Sequence, residues 1–118
     1  MKIYRCESCD KILINLGEQN GTLGKTELVP GSVDAALEKH VPDVEVKGTT
    51  VLVNIGEVTH PILPEHHIEW ILLETKKGFQ IKYLEAGDAP EAKFEISDDE
   101  PVAVYEYCNL HGLWKAEL

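Results

Sequence analysis

Through most of the chain after residue 50, apolar positions recur at every second residue, the period expected of strands that bury one face. Val51, Val53 and Ile55 alternate with Leu52 and Asn54; Ile68, Trp70 and Leu72 alternate with Glu69 and Ile71. Phe94 and Ile96 alternate with Lys93 and Glu95, and Val102 and Val104 lead into Cys108 on the same face. Turn residues separate these runs at Lys47-Gly48, Lys76-Lys77-Gly78, Glu85-Ala86-Gly87-Asp88 and Asp98-Asp99-Glu100-Pro101. Short strands at this spacing, with no long helical segment between them, predict an all-β fold: an antiparallel β-sandwich of about seven strands. One short helix is expected over 32–39, with Ser32 as its N-cap. His40-Val41-Pro42 ends it, because the residue before proline is pushed out of the α region.

The first thirty residues differ in character. Cys6-Glu7-Ser8-Cys9 is followed by the apolar run Ile12-Leu13-Ile14 and then by the polar, glycine-rich stretch 17–24. That composition predicts a knuckle or hairpin too small for a core of its own. Residues 1–30 are therefore read as an appendage and residues 31–118 as the principal domain.

At 118 residues the chain is long enough for one domain that buries roughly two-thirds of its unfolded surface. Eleven basic residues against twenty-one acidic ones give a net charge of -10. That balance argues against nucleic acid or an anionic membrane as partner, since both would be repelled. The N-terminus lacks an apolar core of signal-peptide length, and no apolar run reaches membrane-spanning length, so a soluble cytoplasmic protein is expected. Three cysteines cannot form a closed disulfide framework, and in a reducing compartment they read as metal ligands or thiols.

The chemistry concentrates near the C-terminus. In Cys108-Asn109-Leu110-His111 a thiol and an imidazole lie three residues apart on a short loop. Four further histidines fall on loops or strand ends: His40 after the short helix, His60 before Pro61, and His66 and His67 opening the run from Ile68. Taken singly, each is accounted for by a surface histidine, and Cys108 by a small buried side chain. Taken together, imidazoles and a thiolate placed on loops of a rigid sandwich predict a centre for iron, copper or zinc. A copper electron carrier of cupredoxin type is the alternative, though such sites use two histidines and usually an axial methionine, and the one methionine here is Met1. A closed structural zinc site fits five candidate ligands less well.

Three stretches, Glu38-Lys39-His40-Val41-Pro42, His60-Pro61-Ile62-Leu63-Pro64-Glu65-His66-His67-Ile68-Glu69-Trp70-Ile71 and Cys108-Asn109-Leu110-His111-Gly112-Leu113-Trp114, resemble the signatures of the superoxide reductases, the desulfoferrodoxin and neelaredoxin family. They occur in the family's order, and the resemblance runs from about Gly31 to the C-terminus. It implies an immunoglobulin-like sandwich carrying a mononuclear non-haem iron. By position the equatorial ligands would be His40, His60, His66 and His111, with Cys108 axial. A register slip of one residue would put His67 in place of His66. The resemblance also implies that Lys39 attracts the superoxide anion and that Glu38 occupies the sixth position of oxidised iron. The activity it implies is one-electron reduction of superoxide to hydrogen peroxide, with a rubredoxin-like electron donor and a dimeric or tetrameric assembly. Trp70 and Trp114 are read as packing residues.

The chain departs from the longer members, which resemble rubredoxin at the N-terminus and hold a second iron with four cysteines. Cys6 and Cys9 match the first half of that site, but Glu27-Leu28-Val29-Pro30-Gly31 stands where the second half is expected. Three readings remain for the pair: a vestige, a metal site shared between two subunits, or a disulfide that forms and breaks.

Overall fold

The structure is a computed structural model that describes residues 1–16, 24–31, 40–55 and 65–118. The helix expected over 32–39, with Glu38 and Lys39, and the expected ligand His60 lie outside the described residues.

The described chain forms ten strands: β1 (Ile3–Cys6), β2 (Ile12–Ile14), β3 (Lys25–Glu27), β4 (Pro42–Lys47), β5 (Thr50–Ile55), β6 (Ile68–Thr75), β7 (Phe79–Tyr83), β8 (Glu91–Glu95), β9 (Pro101–Cys108) and β10 (Gly112–Glu117). They make three antiparallel sheets, ordered β2-β1-β3, β10-β9-β6-β7 and β4-β5-β8. The last two are the seven-stranded β-sandwich that the alternation predicts. All four expected turns fall between strands.

The inner face of the sandwich packs Val51, Val53 and Ile55 of β5 and Phe94 of β8 against Ile68, Ile71, Leu73 and Val104 of the four-stranded sheet. Each such side chain, withdrawn fully from water, contributes roughly 1.5–3 kcal/mol. The outer face of the four-stranded sheet is also covered. Trp70, Leu72, Tyr105, Tyr107 and Leu113 pack there with Ile3, and Ile12, Ile14 and Leu28 join them. The N-terminal sheet thus has no separate core and shares that of the sandwich. Arg5 Nη2 adds a hydrogen bond of 2.8 Å to the Tyr107 hydroxyl across the same boundary.

Two β-bulges change the expected faces. Ile68 pairs with Cys108 but Trp70 pairs with Tyr107, so Glu69 is an extra residue on β6. The bulge turns Ile68 inward with Ile71 and Leu73, whereas Trp70 and Leu72 face outward. Simple alternation placed Ile68, Trp70 and Leu72 together; one inserted residue reverses the facing of everything beyond it. At the other end Glu74 pairs with Ala103 and Thr75 with Pro101, leaving Val102 extra on β9. Val104 therefore shares the inner face, while Val102 packs against the outer cluster.

Candidate metal centre

β9 and β10 are joined by Asn109, Leu110 and His111, and Cys108 pairs with Gly112 across the base of that hairpin. A three-residue hairpin loop closes with a residue in the left-handed region, and Gly112 has φ of 77°. Cys108 and His111 are thereby fixed on one short loop at the end of the sheet.

Asn109 ties a second segment to this loop. Its Oδ1 accepts a hydrogen bond from the His67 backbone N–H at 2.9 Å, and its Nδ2 donates to the Glu65 carbonyl at 3.0 Å. Its own N–H donates to the His67 carbonyl at 3.2 Å. Residues 65–67 are so held beside the hairpin tip, and His66 faces His111 with ring centroids 4.8 Å apart and planes at 85°. His67 instead lines a cavity of about 500 Å³ with Asp10, Lys11, Glu69 and Tyr107.

His40 arrives from the segment leading into β4. It is buried, and its ring meets that of His111 edge-on at 4.7 Å and 78°. Trp114 stacks on the other side of His40, at 5.1 Å and 17°, and donates from Nε1 to the His111 carbonyl at 3.0 Å. Trp114, expected only to pack, thus positions two of the site's histidines. His40 Nδ1 lies 3.5 Å from Glu106 Oε1.

Three imidazoles result, His40, His66 and His111, whose ligating atoms all lie within 4.8 Å of one another. That spacing suits donors directed at one ion. His111 Nδ1 is buried without a hydrogen-bond partner among the described residues, as befits a cluster built for something other than itself. Cys108, three residues before His111, is fully buried. Burial pushes its thiol upward, while backbone N–H groups of Leu110 and His111 act in the opposite direction by stabilising a thiolate. Imidazoles and a thiol supplied with N–H donors fit a borderline-to-soft metal ion.

Glu106 and Asn109 are site residues that reading the sequence for ligands passed over. Glu106 carried a signal: it is an acid within an otherwise buried strand, two residues from Cys108 and on the same face. Burial pushes its carboxyl up to about 9. Asn109 carried none beyond its place inside the Cys-x-x-His loop.

A family model described as Desulfoferrodoxin matches residues 32–117. The desulfoferrodoxin of Nitratidesulfovibrio vulgaris is 44% identical over 121 residues, spanning 98% of this chain and 95% of the relative. That of Syntrophotalea carbinolica is 42% identical over 123 residues, spanning 99% and 96%. Among solved structures, the superoxide reductase from Treponema pallidum superposes with a TM-score of 0.79 at 38% identity, covering 97% of this chain and 98% of that one. The shorter superoxide reductase from Giardia intestinalis gives a TM-score of 0.58 at 34% identity, covering 69% and 99%.

Proposed function

Because the chain belongs to the desulfoferrodoxin family, we propose that it is a superoxide reductase: superoxide, one electron and two protons yield hydrogen peroxide. The observation that carries this reading is the group of three imidazoles with ligating atoms within 4.8 Å of one another. The family implies a non-haem iron, and in this reading the ion is mononuclear and held by His40, His60, His66, His111 and Cys108. Bound there, iron would supply the single electron. Five protein donors would leave room for a small ligand.

The chain's own residues do the rest. Glu106 and Trp114 hold the His40 ring in place, and Asn109 holds the segment that carries His66. Cys108 would present its sulfur to the ion as a thiolate, a soft donor that raises electron density on the metal. A net charge of -10 repels superoxide at long range, so a local positive charge is needed. Lys39 is assigned that role, and Glu38 would serve as a carboxylate ligand to the oxidised ion. Residues 31–118 carry the chemistry in this reading, with residues 1–30 as cover on the outer face.

Copper electron transfer of cupredoxin type has no support from the comparisons, and three clustered imidazoles exceed the two such sites use. Among the described residues no helix is long and apolar enough to cross a membrane. A cytoplasmic location, a rubredoxin-like donor and a dimeric or tetrameric assembly belong to the same reading.

The test is metal content together with the visible spectrum before and after mild oxidation, followed by superoxide consumption with oxygen monitored. One iron per chain, a thiolate-to-iron band appearing on oxidation, and superoxide lost without oxygen release are expected. Copper, or a zinc protein indifferent to oxidant, would overturn the reading.

A further inference from the structure

The sequence holds two thiols besides Cys108, and the structure places both on one turn. β1 ends at Cys6, and the chain passes through Cys9 before returning as β2. The turn is closed by backbone hydrogen bonds from Asp10 N–H to the Cys6 carbonyl at 3.0 Å and from Cys6 N–H to the Lys11 carbonyl at 2.8 Å. Asp10 takes φ of 56°, which lets the chain reverse within so few residues. Glu7 N–H donates to the Gly24 carbonyl at 2.9 Å, so the neighbouring strand braces the turn from the side.

On this frame the Cys6 sulfur lies 3.4 Å from the Ser8 hydroxyl, and Cys9 stands three residues on in the same turn. Cys9 is exposed and Cys6 partly so, whereas Cys108 is buried. Two thiols on one turn closed by backbone hydrogen bonds, one beside a hydroxyl and the other open to solvent, have the arrangement of an attacking cysteine with its resolving partner.

We propose that Cys6 and Cys9 form a dithiol that hydrogen peroxide oxidises to an intramolecular disulfide. The inference rests on the proposed superoxide reductase activity only for the source of the oxidant, since that reaction releases peroxide. The Cys6 thiolate attacks one peroxide oxygen, the O–O bond breaks, and protonation of the leaving oxygen gives water and a sulfenic acid on Cys6. Cys9 then attacks the Cys6 sulfur, the S–O bond breaks, a second water leaves and the S–S bond forms. Two thiols lose two electrons and two protons in all, and one peroxide becomes two waters. The hydrogen bonds from Cys9 first and then Ser8 lower the Cys6 thiol to about 7, so half of it is thiolate at neutral pH.

The test uses the full-length, iron-loaded protein with its thiols reduced. Hydrogen peroxide is added, remaining thiols are blocked with iodoacetamide, and trypsin is applied. Arg5 and Lys11 flank the turn, so cleavage after each releases residues 6–11 with both cysteines and without Cys108. The expected product is this peptide lighter by two hydrogens and unalkylated, formed at pH 7 about threefold faster than free cysteine is oxidised, the larger thiolate fraction outweighing its lower nucleophilicity. In Cys9→Ser the expected product is a sulfenic acid on Cys6, trapped by dimedone.

Recovery of the peptide with both cysteines alkylated, or of a disulfide joining two chains in place of one within the turn, overturns the proposal. A separate sample of the same protein is given superoxide with oxygen release followed. Disulfide formed with added peroxide, together with superoxide lost only by oxygen-releasing disproportionation, would uphold the dithiol and count against the reductase reading alone.

Discussion

His40 Nδ1 and Glu106 Oε1 stand 3.5 Å apart with both side chains almost wholly withdrawn from water, 2% and 0% exposed. A carboxyl in this position is costly to bury, and it faces a histidine of the three-imidazole cluster. A carboxyl behind a ligating histidine fixes the ring's orientation and tautomer. Glu106→Ala is expected to weaken metal binding about 10- to 100-fold, with Glu106→Gln losing less because the amide can still bond to the ring. Competition with a chelator of known affinity measures both, and equal affinity in Glu106→Ala and the parent would remove the positioning role.

Cys108→Ser keeps the size of the side chain and removes the soft donor. Iron is expected to remain in part through the imidazoles, while the charge-transfer band of the oxidised protein disappears, since it requires sulfur. A band that persists in Cys108→Ser would assign it to another ligand.

Lys39→Ala should lower the second-order rate with superoxide by about tenfold and leave the visible spectrum as it was. Raising the salt concentration should narrow the gap between variant and parent, because screening removes what the lysine contributes. Stopped-flow or pulsed generation of superoxide gives the rates, and equal rates at low salt would dismiss the steering role.

The N-terminal sheet contributes Ile3 to the outer core. Removing that side chain in Ile3→Ala should cost about 2–4 kcal/mol of stability through lost burial and the cavity left behind. Denaturant unfolding of the metal-free protein reads this directly. A change below about 0.5 kcal/mol, the range typical of surface positions, would mean that the N-terminal sheet is not packed on the sandwich in solution.

Alkylation of Cys6 reports on its hydrogen bonds. Because its folded pKa is lowered from 9.0 to about 7, the thiolate predominates above neutrality and is lost as pH falls through that value. The rate of carbamidomethylation at Cys6 should therefore rise to half its plateau near pH 7, and Cys9→Ala, which takes away the first of the causes, should move the midpoint upward. A midpoint that stays near 9 in the parent would show that the turn does not hold the thiol as described.

Four strands of the sandwich, β5, β6, β8 and β9, with the turns between strands and the loop bearing Cys108 and His111, were legible in the sequence, because each depends on neighbours a few residues away; β4, β7 and β10 were not. Alternation reports burial of one face, and Gly112 after His111 supplies the left-handed residue that a tight hairpin needs. Packing over longer range was not legible. The bulge at Glu69 exists because β6 must pair with β9 out of simple register, and no property of residues 68–72 alone reveals which way each one faces. The N-terminal strands look coreless because their partner surface, Leu72, Tyr105 and Leu113, lies far along the chain.

The same division runs through the site. The sequence by itself determined the ligand chemistry: a Cys-x-x-His loop and histidines at strand ends, residue types whose donor atoms set which metals they hold. Only the tertiary structure decided which of them meet. Asn109 clamps residues 65–67 so that His66 faces His111 while His67 turns to a cavity, and Trp114 and Glu106 hold His40 between them. Ligation by several side chains is a condition on distances of a few ångströms among residues separated by tens of positions, and such distances are set by sheet register and packing, which a linear pattern does not contain.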